Sequence, residues 1–188
     1  IAQEFFRFPA GVSASFFDFD ENGNIFGGGN SGGLFVRNSS GAIRSVGQYA
    51  NLVIRSVRVF NGYVYVATAG AQPGVWKNQI LAADGALGNN ELYFNWANAG
   101  EFSAAVISDL TFAEDGDMYV AAERKQPDPI LVVHPDGSTE ALYKGVLKYQ
   151  VSNFVWGNDQ YLYVNHDNAS GASRIAMGKN GARYFGRQ

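Results

Sequence analysis

The residues whose types and spacing could hold a cation come early in the chain. In Asp18-Phe19-Asp20-Glu21-Asn22-Gly23-Asn24-Ile25 the oxygen-bearing side chains of Asp18, Asp20 and Asn22 stand two apart, ahead of a glycine and an aliphatic residue. That matches the first half of an EF-hand calcium loop, in which alternate oxygens wrap one ion. The second half differs, because Gly29 stands where that loop needs a bidentate carboxylate and neither flank has helical apolar spacing. Such a short donor set makes a weak site, so Asp18, Asp20 and Asn22 are metal ligands only in the lesser reading. In the other, Asp20, Asn22 and Gly23 supply turn chemistry, since Asx side chains bond the local backbone and glycine tolerates positive φ.

Other chemically able residues are sparse. His134 precedes Pro135-Asp136-Gly137 and reads as a turn residue, while His166 sits beside Asp167 in a second polar loop. Two histidines 32 residues apart do not make a zinc site. A serine nucleophile would need a base and an orienting acid, and the serines that recur along this chain mark strand starts instead. Gly27-Gly28-Gly29 has no following helix to cradle a phosphate. Glu123, Arg124 and Lys125 form a charged loop.

The elements that must position these residues follow from composition and repeat. The chain has 188 residues, 46% of them apolar and 14% aromatic, enough to bury a core in one domain. Its 23 glycines and many tyrosines and phenylalanines, with few helix-forming runs, point to an all-β protein of short strands and tight turns. A formal charge of −3 offers no basic field for a phosphate backbone, which argues against nucleic acid as a partner. No segment has the ~20 apolar residues that span a bilayer. Without cysteine there is no disulfide framework, and the compartment is left open, with an extracellular or periplasmic place favoured. Asn38-Ser39-Ser40 and Asn168-Ala169-Ser170 are glycosylation sequons that support surface loops.

A repeat organises the rest. Ser15, Ser56, Ser108 and Ser152 each precede an aromatic by four residues, and they lie 41, 52 and 44 residues apart. A second strand follows each, with Phe26, Tyr65, Tyr119 and Tyr163 in equivalent places, and then a third, GLFVR, GVWKN, ILVVH and SRIAM. Polar turns lead to fourth strands such as AIRSVGQY, TEALYKG and, in the last repeat, ARYFGR. Four antiparallel strands in about 45 residues is the blade of a β-propeller. The expected blades are roughly residues 10–49, 51–98, 101–145 and 146–188 of a single propeller segment, 1–188. Residues 1–9 (with QEFFRFPAG) read as the outer strand of a preceding blade, so the segment is expected to belong to a ring of six to eight blades, the alternative being a closed four-bladed ring with that strand as an outer addition. Further propeller polypeptide, from the same chain, a cleaved partner or a homo-oligomer, would complete it. Face-to-face packing would bury apolar residues on both sides of the inner strands, as in Phe16, Phe17 and Phe19.

In a propeller the entrances to the inner strands and the loops between second and third strands share one face, the usual ligand face. It is expected to carry Asp109, Asn153, Glu123, Arg124, His166, Asp167 and Asn168. Two stretches carry a family resemblance: SNFVWGNDQYLYVNHD and SDLTFAEDGDMYVAAE are similar to motifs of the senescence marker protein and gluconolactonase propellers. The broader NHL-repeat propellers, which mostly bind partners, share the same look, and the Asp18 hairpin resembles the calcium hairpins of FG-GAP propellers. The gluconolactonase resemblance implies a divalent metal, calcium or another, held in the central channel by Asp109 and Asn153 for hydrolysis of a lactone or ester. No complete catalytic constellation is legible in the residues themselves. The sequence therefore favours a noncatalytic propeller that binds a small ligand or a protein and needs no cofactor, with the metal-dependent hydrolase as the alternative.

Overall fold

A computed structural model describes residues 7, 14–31, 33–123, 127–147, 149–166 and 171–185. The protein is all-β and has the β-propeller fold, built from four antiparallel sheets. It divides into two compact units, Ile1–Gln72 with Trp76–Glu91 and Tyr184–Gln188, and Pro73–Val75 with Leu92–Arg183. Among the described residues no helix is long and apolar enough to cross a membrane.

In the first unit the alternating, β-branched and aromatic runs form β1 (Phe16–Phe19), β2 (Ile25–Gly28), β3 (Leu34–Arg37) and β4 (Ile43–Val46), a simple meander. The next sheet is a second meander of β5 (Val53–Phe60), β6 (Tyr63–Ala69), β7 (Gly74–Ile80) and β8 (Leu87–Asn95), whose Gly74–Val75 and Leu92–Asn95 count with the second unit. Asn61 and Gly62 join β5 to β6 with φ of 47° and 76°, the two left-handed residues that a primed hairpin turn requires. Phe26, Leu34, Val36, Ile54, Val57 and Val64 bury the core between the two inner edges. A Cβ on Gly28 would press on Ile54, so glycine there lets the sheets approach. The expectation of apolar burial on both sides of β1 fails at Phe17, which is 53% exposed, whereas Asp18 beside it is buried.

The second unit contains β9 (Val106–Phe112), β10 (Met118–Glu123), β11 (Ile130–Val133) and β12 (Thr139–Ala141), followed by β13 (Val151–Trp156), β14 (Tyr161–His166) and β15 (Ala172–Ala176). Trp156 packs edge-on against Tyr119, ring centroids 5.5 Å apart, which joins the two sheets. Ser108 reaches across the same junction: its hydroxyl donates toward the Ala121 and Val151 carbonyls, a structural use of a repeat serine.

The last sheet has three strands among the described residues, and of the stretch expected to form a fourth, ARYFGR, the described Ala182, Arg183, Tyr184 and Phe185 are not in a strand. After β15 the chain turns back to β9: Glu114 N–H donates to the Asn180 carbonyl at 3.0 Å and Ala182 N–H to that of Phe112 at 2.9 Å. Gly181 makes this possible. It lies flat on the Trp156 indole, where any Cβ would collide with the ring. The stretch expected to be an outer strand of a preceding blade, residues 1–9, lies outside the described residues except for Arg7.

Candidate functional site

Asp109 is the residue on which the metal expectation turns. It lies on β9, 2% exposed. One carboxylate oxygen accepts the N–H of Leu110 at 2.9 Å and the other the N–H of Phe154, on β13, at 3.2 Å. The charge thus faces one backbone donor of its own strand and one of the adjacent inner strand. Asn153 follows the bulge in β13 and is exposed, paired in register with Asn165. Asp109 and Asn153 stand on neighbouring inner strands, but a buried carboxylate bound to two N–H groups and an exposed amide do not make a converging donor set. The residues present therefore fit a divalent ion poorly.

Asp18 repeats the arrangement in the first unit. It is 6% exposed, its oxygens accepting the Phe19 N–H at 2.8 Å and, across the junction to β5, the Val59 N–H at 2.9 Å. Asp20 turns the other way. Its Oδ1 accepts the Asn22 and Asn24 N–H groups at 3.0 and 2.8 Å, an Asx turn closed by Gly23 at φ 78°. Asn22 is exposed at the tip. The three candidate ligands thus serve separate purposes. Asn24, which sequence reasoning passed over, is fully buried: its amide donates to Asp20 Oδ2 and the Ala83 carbonyl and accepts from Ser39 N–H. No grouping of three or more His, Asp or Glu side chains suited to a metal ion occurs among the described residues.

Two cavities differ in character. A groove of about 510 Å³ in the first unit runs along the β1–β2, β5–β6 and β7–β8 turns, past Asp20, Glu21, Asn61, Leu81 and Phe185. Its inner carboxylate, Asp20, is committed to its own turn. The other, of about 180 Å³, opens in the second unit where the β12–β13 connection meets the ends of β13, β14 and β15. This is the strand-entrance and second-to-third-strand end of the sheet, the ligand face expected from the repeat. Val146, Leu147, Val151, Val164 and Ile175 supply its apolar wall.

His166 and Ser173 supply the polar edge of that pocket, His166 Nε2 lying 2.8 Å from Ser173 Oγ. The Tyr149 ring tilts over the imidazole with centroids 5.2 Å apart. His166 Nδ1 is buried and has no hydrogen-bond partner among the described residues. Because His166 and Asn165 are successive on β14, the imidazole and Asn153, the partner of Asn165, lie on opposite faces of the sheet. Ser173 and Tyr149 were not legible as site residues, since nothing in a serine of a third strand or a tyrosine of a linker announces a pocket. Glu123 ends β10, half-buried, and Arg124, Asp167 and Asn168 lie outside the described residues.

His134 is a turn residue, as expected, bonded through its backbone to Ser138 and Gly137. Its ring also joins an ionic corner. Nδ1 lies 2.8 Å from Asp117 Oδ1, and Lys179 Nζ bridges Asp117 Oδ2 at 2.7 Å and Asp115 Oδ2 at 2.6 Å. Burial pushes the Asp117 carboxyl up, but hydrogen bonds from Lys179 and His134 outweigh it and hold the group below its ordinary range. Desolvation opposes the Lys179 charge, and the two carboxylates overcome it to raise the ammonium above its ordinary value. Burial pushes the nearby Tyr119 hydroxyl up to about 12.

No protein-family profile matches the sequence, and no curated protein matches it. Solved structures do. A candidate gluconolactonase superposes with a TM-score of 0.68 at 15% identity, covering 95% of this chain and 63% of that one. A streptogramin B lyase gives 0.64 at 15%, covering 95% and 56%, and a luciferin-regenerating enzyme 0.61 at 17%, covering 88% and 58%. At these identities the likeness establishes the propeller fold. The chain spans somewhat under two thirds of the length of these structures.

Proposed function

We propose that the chain is a noncatalytic ligand-binding propeller segment whose ligand site is the pocket beside His166. The observation that carries this reading is the pocket itself: an apolar recess of about 180 Å³ on the expected ligand face, with one polar pair at its edge. The alternative, a metal-dependent lactone or ester hydrolase, draws support from the fold shared with the candidate gluconolactonase. It asks Asp109 to leave two backbone N–H groups unpaired in a buried place, at a cost of several kcal/mol.

A fragment screen by amide-resolved NMR, run with calcium and with chelator, tests the choice. Shifts centred on Val151, Val164 and Ser173, indifferent to chelator, are expected. Hydrolysis of a lactone that requires a divalent ion and disappears in Asp109→Ala would overturn the reading. The same reading includes further propeller polypeptide as a partner. It would pack on the side of the β13–β15 sheet where, among the described residues, Asn153, Asn165 and Arg174 are exposed and Tyr161 and Tyr163 only half-buried.

A further inference from the structure

We propose that the β13–β15 pocket takes an uncharged molecule about the size of one six-membered ring that carries a hydroxyl group, a phenol or a cyclic alcohol. The assignment rests on the binding reading above and narrows it. Size comes first. The recess of about 180 Å³ is comparable to apolar cavities of about 150 Å³ that accept benzene. Val151 and Val164 at its base are each 1% exposed, so the recess ends in packed side chains, while Val146 and Tyr149 at its mouth are open to solvent.

Charge comes second. Among the described residues the wall carries no Lys, Arg, Asp or Glu. A charge set against Val151 and Val164 at the base would lack a partner among the described residues, and its desolvation disfavours it there. The polar pair then selects the head group. With Nε2 of His166 2.8 Å from Ser173 Oγ, either the serine donates to an unprotonated Nε2 or it accepts from a protonated one. In the first case the serine oxygen still accepts from a ligand; in the second its hydrogen is available to a ligand oxygen. A hydroxyl both donates and accepts, and so satisfies the exposed serine with either tautomer. A carbonyl suits only one. The Tyr149 ring, tilted over the imidazole at 5.2 Å, adds an aromatic surface at the mouth.

The test uses the full chain and three probes built on one benzene ring, phenol, toluene and benzoate, titrated while the amides of Val151, Val164 and Ser173 are followed by NMR. Phenol is expected to bind with a dissociation constant on the order of 1 mM. Toluene should bind about fivefold more weakly, the worth of one hydrogen bond, and benzoate should not shift these amides. In Ser173→Ala, an exposed substitution that leaves the core alone, the preference for phenol over toluene should vanish. Val164→Phe should weaken both about tenfold or more by filling the base, and Ile175→Phe provides the same block at a less buried position. Benzoate binding as tightly as phenol, or a phenol preference that survives Ser173→Ala, would overturn the ligand class while leaving the pocket as a binding site. If none of the probes shifts these amides, or neither filling variant weakens phenol, the pocket itself fails as a ligand site.

Discussion

The β1–β2 and β9–β10 hairpins occupy the same slot of the repeat but are closed by different chemistry. In the first, the buried Asn24 amide ties Asp20 to the Ala83 carbonyl and the Ser39 N–H. In the second, Lys179 and His134 gather Asp115 and Asp117 into an ionic corner. The inner strands beside these turns share one device: a buried aspartate, Asp18 or Asp109, that accepts the N–H of the residue after it and an N–H of the next inner strand. A propeller thus fixes what joins sheet to sheet and leaves the hairpin ends free to vary, because a blade needs its neighbour more than it needs any one turn.

Removing the shared device should have the largest effect. Asp18→Ala and Asp109→Ala each leave buried backbone N–H groups without an acceptor and should destabilise by about 3 kcal/mol in urea unfolding. Hydrogen exchange distinguishes local from global loss: Val59 should lose protection in the first variant and Phe154 in the second. A loss below about 1 kcal/mol in one of them would break the equivalence between the two junctions.

The amide-closed turn comes next. Asn24→Ala removes a fully buried group with three kinds of partner and should destabilise by about 2 kcal/mol. Asn24→Asp should be no better, since it sets a second carboxylate against Asp20 at a distance where the amide now donates at 2.6 Å. Added salt should change neither result much, because the contacts replaced are short and buried.

How much of this could be read in the chain follows from the same contrast. The period of the serines and aromatics reported packing that every blade must repeat, so strand order and the Asn61-Gly62 hairpin were legible. The Asp18 stretch was legible as a turn because Asx-glycine chemistry is local. The part played by Asp109 was not, since its decisive partner is a backbone N–H 45 residues away and leaves no trace in residue type. Asn24 was hidden for the same reason, its acceptor at Ala83 being 59 residues distant. The final stretch misled because ARYFGR has strand-like composition, whereas Gly181 on Trp156 lets Gly181 and Ala182 pair back to the end of β9.

The ionic corner should yield a smaller effect and a salt-dependent one. Lys179→Met is expected to cost about 1 kcal/mol at low salt, since its side chain is 33% exposed and such pairs are partly screened. In about 1 M salt the difference from the parent protein should shrink toward zero. A salt-independent loss would mean that the Lys179 stem, packed beside Tyr119, matters more than its charge.

The smallest effect, and the one that separates the two turns most sharply, is the response to pH. Hydrogen bonds from Lys179 and His134 hold the folded Asp117 carboxyl below its ordinary value of 3.8, so its contribution is present above that value and lost as pH falls through the lower folded one. The raised Lys179 contributes fully below its ordinary 10.5 and loses that contribution only as pH rises beyond it. The corner should therefore loosen in acid, as Asp117 takes up its proton, and again only in strong alkali, as Lys179 loses its own. The Gly116 N–H, which donates to the Ala113 carbonyl at 3.1 Å within that corner, reports on it directly. Its exchange, corrected for the intrinsic rate, should lose protection progressively below about pH 4 in the parent protein. In Asp117→Asn the loss over the same interval should be shallower, because the carboxyl that takes up the proton is gone. Identical acid profiles for Gly116 in the two proteins would show that Asp117 does not govern the corner, and that the β9–β10 turn owes its order to backbone bonds alone.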